Sequence, residues 1–310
     1  MHKSKSSFAL SLVNCALCIL VSACVGSTKP TIKIGLIGPF EGRYREVGQE
    51  VIYAVRLAVR QANASGGVGG YTVELMAFDD GGDPEQAAEQ ARKLSTDPQV
   101  MGVIGNWLDA TTLAAAPVLA QSGIPFLATA AAPDLDPAAF RMWPTESALR
   151  AAVPTALYCE SDCSSLETLD WFAAHCQPAT TPCVGPPLWG LNQFPRLVDS
   201  TAEGVWVAAP APLPADSGDP GFTAEYSQIS QGVAPRFLAV LAYDATRVLF
   251  DAINRDARSH PAPTRAGVAE ALAQTHFTGL SGPITFDAAR QWAEAKGTPY
   301  RWRNGQLTPP

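Results

Sequence analysis

Cysteine offers the most chemistry of any residue type in this chain, and its seven copies fall into two groups. Cys15, Cys18 and Cys24 lie near the amino terminus, and Cys159, Cys163, Cys176 and Cys183 cluster mid-chain. In an exported protein four such cysteines read first as two disulfides. If the apolar pattern of Leu166, Leu169, Trp171, Phe172 and Ala173 makes 164–175 a helix, Cys163 and Cys176 stand about 20 Å apart at its two ends. Disulfide Cα atoms sit within about 7 Å, which excludes that pair. Two pairings remain: Cys159 with Cys163 and Cys176 with Cys183, or Cys159 with Cys176 and Cys163 with Cys183. A structural zinc site is the alternative, although the spacing lacks the paired C-x2-C knuckles. Asp79, Asp80 and Asp83 form an acidic cluster of calcium-like type, but without a full ligand set. No G-x-S-x-G, H-E-x-x-H or phosphate loop is present, only four scattered histidines, so no catalytic group and no cofactor is expected.

The Cys15 and Cys18 pair lies inside a segment built for removal. Met1-His-Lys-Ser-Lys is basic, Phe8 to Val21 is apolar, and Val21-Ser22-Ala23-Cys24 supplies small residues before a cleavage point. This is an export signal, too short for the roughly 20 residues of a membrane-spanning helix. The last four residues resemble a lipoprotein signal, in which Cys24 becomes the lipidated first residue and ties the mature chain to a membrane surface. An ordinary secretory signal is the plainer alternative. The expected divisions are 1–23 as signal peptide and 24–30 as a tether. Asn63-Ala-Ser65 fits a glycosylation sequon, but a bacterial-type lipoprotein signal argues against its use.

Residues 24–310 suffice for one large domain or two lobes with cores of their own. A hydrophobic content of 47% with 25 Gly and 26 Pro describes a turn-rich globular chain. Net charge of −7 and a pI near 5.1 argue against a nucleic-acid partner. Phe237 to Phe250 is the nearest thing to a second membrane segment, but Asp244 and Arg247 interrupt it, and it reads as a core helix after Pro235.

Strand and helix signals alternate through the first half. Strands are expected at 31–38, 71–78, 100–104 and 124–128. The helices are one closing at Asn63 to Gly67, one starting after Asp83-Pro84 with Asp83 as cap, and one at 109–121. This alternation implies a parallel sheet covered on both faces. Further strands are expected at 156–159, 182–184, 204–208 and 282–286. Helices follow at 164–175, 192–198, 222–230, 235–255 and 264–274, and a hairpin turns at Asn304-Gly305.

Ile34-Gly-Leu-Ile-Gly-Pro-Phe-Glu-Gly42 with Gly48, Gln61-Ala-Asn-Ala-Ser-Gly-Gly-Val-Gly-Gly70, Phe78-Asp-Asp-Gly-Gly-Asp-Pro84, Val103-Ile-Gly105 and Ser122-Gly-Ile-Pro125 carry a family likeness. Ala202-Glu-Gly-Val205, Tyr243-Asp-Ala-Thr-Arg247 and Gly279-Leu-Ser-Gly-Pro-Ile-Thr-Phe-Asp287 extend it. The chain resembles the branched-chain amino acid (leucine/isoleucine/valine) binding proteins of ABC importers. The resemblance implies an α/β fold of two Rossmann-like lobes, the type I periplasmic binding protein fold, that close on a small solute. Lobe one would be 31–140 plus 232–290, and lobe two 141–231 plus 291–310. Lobe two is expected to be truncated, because 141–156 is too short for a βαβ unit of roughly 30 residues. The cysteines would then staple a lobe with a reduced core.

The same resemblance implies a Ser that binds the ligand carboxylate, and the matching position here is Asp109. The Thr of the next loop corresponds to Ala131 or Ala132, and the lobe-two acid falls near Pro187. A carboxylate facing a carboxylate with no cation between repels. The cleft-facing loops would present Glu41, Arg43 and Tyr44, then Trp107 and Asp109, then Ala130, Ala131 and Ala132, with Trp189 from lobe two. Acids with aromatic walls suit an amine-bearing or amino-acid solute. Asp109 reads equally as the cap of the helix it begins, and Trp107 and Trp189 equally as packing. The expected partners are a small solute, ABC permease subunits and, through the lipid, a membrane, so that the protein works outside the cytoplasm. The alternative role is a ligand-sensing module that signals to a partner protein.

Overall fold

The structure, a computed structural model, describes residues 29–158, 169–176 and 182–310. Five apolar segments build the first sheet: β1 (Thr31–Gly38), β2 (Thr72–Asp79), β3 (Val100–Gly105), β4 (Phe126–Ala128) and β5 (Phe140–Arg141). All pair in parallel in the order β2-β1-β3-β4-β5. Because strand side chains alternate, β1 feeds two separate cores. Ile32, Ile34 and Leu36 pack with Val47, Val51 and Val55 of α1 (Arg45–Ala64) and with α8 (Phe237–Ser259). Ile37 packs on the other face with Ala87, Ala91 and Leu94 of α2 (Pro84–Ser95) and Ala115 and Leu119 of α3 (Asp109–Gln121). Gly35 is required on that second face, since a Cβ there would lie 2.6 Å from Leu94.

The second sheet has the order β12-β11-β8-β7-β6. β6 (Leu157–Tyr158), β7 (Cys183–Gly185) and β8 (Trp206–Ala209) are parallel, while β11 (Thr298–Arg303) and β12 (Gln306–Thr308) run antiparallel. Asn304 and Gly305 both have positive φ, 50° and 70°, as a two-residue hairpin turn demands. β9 (Phe277–Gly279) and β10 (Gly282–Ile284) form a separate hairpin. Its turn is held by the buried Asp244 carboxylate, which accepts from the Leu280 and Ser281 N–H at 2.8 and 2.7 Å.

Residues 141–156, expected to be too short for a βαβ unit, hold less than one. β5 completes the first sheet, and α4 (Glu146–Ala151) follows, its first turn capped by Thr145 Oγ1 accepting from the Ala148 N–H. α5 (Leu169–His175) covers the end of the helix expected at 164–175; the rest of that segment lies outside the described residues. α6 (Gln193–Val198), α7 (Pro220–Ser227) and α9 (Arg265–Ala273) fall where helices are expected.

Cys176 is bonded to Cys183, with Cα atoms 5.6 Å apart. This selects between the two pairings: Cys159 with Cys176 and Cys163 with Cys183 is excluded, because each sulfur forms one such bond. The zinc alternative falls with it, since those thiols are consumed. Cys159 and Cys163, like Cys24, lie outside the described residues. The Asn63 amide donates to the Val73 carbonyl and accepts from its N–H, at 2.9 and 2.8 Å, tying α1 to β2.

One buried carboxylate joins the two longest helices. Glu50 of α1, 2% exposed, accepts from the N–H groups of Arg236 and Ala239 at 3.1 and 2.9 Å. It thereby caps α8, whose own N-cap residue supplies no side-chain bond. Burial pushes the Glu50 carboxyl up to about 7, against the lowering effect of those N–H groups and of the Arg236 charge. A folded value above the ordinary 4.5 means that the group's contribution to stability is complete below that pH and is lost as pH rises through about 7. The loss is of the order of 3 kcal/mol at about 1.36 kcal/mol per pKa unit. Glu50→Gln keeps the acceptor oxygen and removes the charge, so it should match wild type at pH 5 and melt higher at pH 8. Glu50→Ala should melt lower at both, by about 1–3 kcal/mol for the stranded donors. Thermal melts at the two pH values read both outcomes.

Candidate functional site

Strand order reverses between β1 and β3, so the chain leaves their carboxyl ends in opposite directions and opens a crevice there. The residues that follow are Pro39, Phe40 and Glu41 after β1, Asn106, Trp107 and Leu108 after β3, and Thr129 to Ala132 after β4.

The acidic cluster beside β2 shapes these loops. Asp79 Oδ1 accepts from the Phe40, Glu41 and Gly81 N–H groups at 2.7, 3.3 and 3.1 Å. Asp80, fully buried, accepts from the Gly82 N–H and from Asn106 Nδ2 at 2.9 and 2.7 Å, and burial pushes its carboxyl up to about 6. Asp83 caps α2 through the Gln86 N–H at 2.8 Å. Each acid has a backbone or amide partner, and among the described residues no group of acids, cysteines and histidines could hold a metal ion.

Asp109 is the first residue of α3 and not its cap; Leu108 takes the N-cap position, without a side-chain bond. The Asp109 carboxylate crosses to the loop after β4 and accepts from the Ala132 N–H at 3.0 Å. From β5, Arg141 Nη2 donates to the Ala132 carbonyl at 2.7 Å. Burial pulls the Arg141 guanidinium down from its ordinary value and the Asp109 charge acts against that fall, so the two are electrostatic neighbours. Arg141 therefore brings positive charge to the other side of Ala132 from Asp109. Arg141 also donates from Nη1 to Gln291 Oε1 at 3.2 Å, and Gln291 Nε2 donates to the Trp143 carbonyl at 2.7 Å.

Trp107 is 3% exposed and packs on Gly38 at the end of β1, where a Cβ would come within 2.9 Å of its ring. Its Nε1, Asn106 Oδ1, Arg141 Nε and Trp143 Nε1 are buried with no hydrogen-bond partner among the described residues. Ala130 and Ala132 are buried and Ala131 is half-buried. Glu41 is exposed at the rim, and Tyr44 packs beneath the β2 loop against Gly82.

Trp189 stands elsewhere. It has no exposed surface, stacks on Phe194 at 5.0 Å, meets Phe172 edge-on at 5.1 Å and accepts from Trp302 Nε1 at its carbonyl. In this conformation it is the centre of the aromatic core beside the second sheet, the packing alternative, and no solute could touch it. An open groove of about 360 Å³ between α1 and α7, lined by Leu57, Arg60, Gln61, Ala64, Glu225 and Gln228, lies toward the far end of α1 from the crevice.

The first turn of α1 reaches the second sheet's side of the molecule. Glu46 accepts from the Asn192 N–H and from Arg196 Nη2, the latter at 3.1 Å, and Arg236 donates to Asn192 Oδ1 while its guanidinium lies 5.3 Å from the Trp302 ring. None of these residues stands out in the sequence. Glu50 alone had a signal, a charge inside the apolar stripe of Val47 and Val51.

Residues 31–159 match the sequence model of the family described as periplasmic binding protein. The leucine-, isoleucine-, valine-, threonine- and alanine-binding protein of Pseudomonas aeruginosa is 30% identical over 139 residues, covering 44% of this chain and 37% of that one. The chain spans about a third of the length of the curated relatives it matches. Among solved structures, the substrate-binding protein LivJ of Streptococcus pneumoniae in complex with isoleucine superposes with a TM-score of 0.71 at 19% identity, over 89% of this chain and 97% of that one. The leucine-binding protein LivK of Thermotoga maritima superposes with a TM-score of 0.72 at 18% identity, over 89% and 97%.

Glu46 is 21% and Arg196 70% exposed, so their ion pair is worth roughly 1 kcal/mol or less. Glu46→Ala is expected to lower the ratio of molecules with the two sheets held together to those with them apart by up to about fivefold. Small-angle scattering should then show a larger radius of gyration than for wild type, with the melting temperature little changed.

Proposed function

We propose that this chain, which has the fold of the type I periplasmic binding proteins and carries their sequence pattern over residues 31–159, is the extracytoplasmic solute-binding component of an ABC importer. The fold and the matched family are those of substrate-binding proteins and not of enzymes. The observation that carries the reading is the β1/β3 crevice, flanked by the loops after β3 and β4 and bridged toward the second sheet by Glu46. A small solute of amino-acid size would enter there, lobe one (31–140 plus 232–290) and lobe two (141–231 plus 291–310) would close on it, and permease subunits would read the closed form. Glu41, exposed at the rim, and the half-buried Ala131 would meet the solute first, while Trp107, Ala130, Ala132 and Tyr44, buried in this conformation, would reach it only as the lobes part.

Among the described residues no helix is long and apolar enough to cross a membrane. Attachment would instead come through lipid on Cys24. Cys24→Ser in the full chain should abolish incorporation of a labelled fatty acid and move the protein from the membrane to the soluble fraction.

The solute reading is tested by melting residues 25–310 with a panel of amino acids, amides, polyamines and short organic acids. A ligand at about 100 times its Kd stabilises by about 2.7 kcal/mol, which a thermal shift detects. A cooperative transition that no member moves would count against it. A ligand that binds while the closed protein fails to stimulate the permease ATPase would favour the sensing role.

A further inference from the structure

We propose that Asp109 is the specificity-determining residue of the crevice: with Arg141 it occupies both backbone groups of Ala132, leaving a site for an uncharged solute with a carbonyl or amide acceptor and excluding carboxylates. This rests on the solute-binding reading given above.

Ala132 is the hinge of the argument. It is fully buried at φ +35°, in the region that residues with a Cβ seldom occupy, so its surroundings must hold it there. Asp109 takes its N–H and Arg141 its carbonyl, at 3.0 and 2.7 Å. A carboxylate arriving at this loop finds the backbone donor taken, the Arg141 Nη groups already donating to the Ala132 carbonyl and to Gln291, and a like charge beside it. In a crevice of low dielectric that repulsion is not screened as it is in water. An ammonium gains little more, because the Asp109 carboxylate already accepts from the Ala132 N–H and lies in the field of the Arg141 charge.

The hydroxyls nearby are also committed: Thr112 and Thr129 both donate to the Asn106 carbonyl, at 3.0 and 3.1 Å. Unmatched groups nonetheless remain at the carboxyl ends of β3 and β5, on either side of β4. The Trp107 and Trp143 indole N–H groups and the Arg141 Nε–H are buried donors, and Asn106 Oδ1 is a buried acceptor. A stranded buried donor has lost its water without replacement, and a neutral carbonyl oxygen satisfies it without adding charge. Donors outnumber acceptors here, and two of them are uncharged indoles.

The test is isothermal titration of wild type, Asp109→Asn and Asp109→Ser with matched pairs: isovaleramide against isovalerate, and benzamide against benzoate. Asparagine keeps an acceptor at the same reach for the Ala132 N–H but removes the charge; serine removes the charge and shortens the side chain, so its hydroxyl no longer reaches that N–H. Wild type should bind each amide at least about tenfold more tightly than its carboxylate. Both variants should shift that ratio toward the carboxylate by at least about tenfold, with far-ultraviolet circular dichroism unchanged. If serine prevents folding, the asparagine variant carries the comparison. A wild type that prefers carboxylates, or variants whose preference does not move, overturns the proposal while leaving solute binding intact. Silence of wild type and variants toward both pairs and toward the wider panel overturns solute binding and the proposal together.

Discussion

A strand hydrogen-bonded along both edges and buried on both faces must find partners in four directions, and β1 is that strand here. β2 and β3 take its edges, α1 and α8 one face, and α2 and α3 the other. Parallel neighbours require crossovers, and right-handed crossovers to opposite sides of β1 place helices on both faces. The reversal that opens the crevice is the direct result. The crevice therefore lies where the backbone topology forces a gap, and the loops that border it are the carboxyl-terminal exits of the most deeply buried strands.

Polar groups enclosed by this arrangement serve mainly to stop or turn the chain. Glu50 caps α8, Asp80 and Asp83 set the loop before α2 and the first turn of that helix, and Asp244 holds the β9–β10 turn. Each is a carboxylate meeting backbone N–H groups, the exchange that best offsets its loss of water. Burial still raises the Glu50, Asp80 and Asp244 carboxyls, so the protein carries several acids that hold their protons more tightly than exposed ones. Asp109 and Arg141 differ in kind, because there two opposite charges each hold one backbone group of Ala132 in a loop beside the crevice.

The second sheet depends on aromatic packing more than on polar bonds. Trp189, Phe194, Phe172 and Trp302 form a stacked and edge-on cluster, with the Cys176–Cys183 bond joining α5 to β7 beside it. This sheet thus gains order from a few large side chains and a short covalent loop.

Most elements were legible in the sequence, because period-two and helical patterns, Asp83-Pro84 and Asn304-Gly305 act over a few residues and need no distant partner. The helix at 109–121 and the hairpin at 304–305 came from such local signals. The two-residue strand β5 was not legible, being too short for any period and existing only through β4. The same distinction runs through the site. Sequence by itself determined which loops follow which strands, and so that Trp107, Asp109 and Ala130–Ala132 border one crevice. Only the tertiary structure decided what they do: Asp109 and, from β5, Arg141 grip the two backbone groups of Ala132, Trp189 turns into a core, and Cys176 chooses Cys183. A side chain's partner depends on which groups the fold carries to it from far along the chain, and no local pattern encodes that distance.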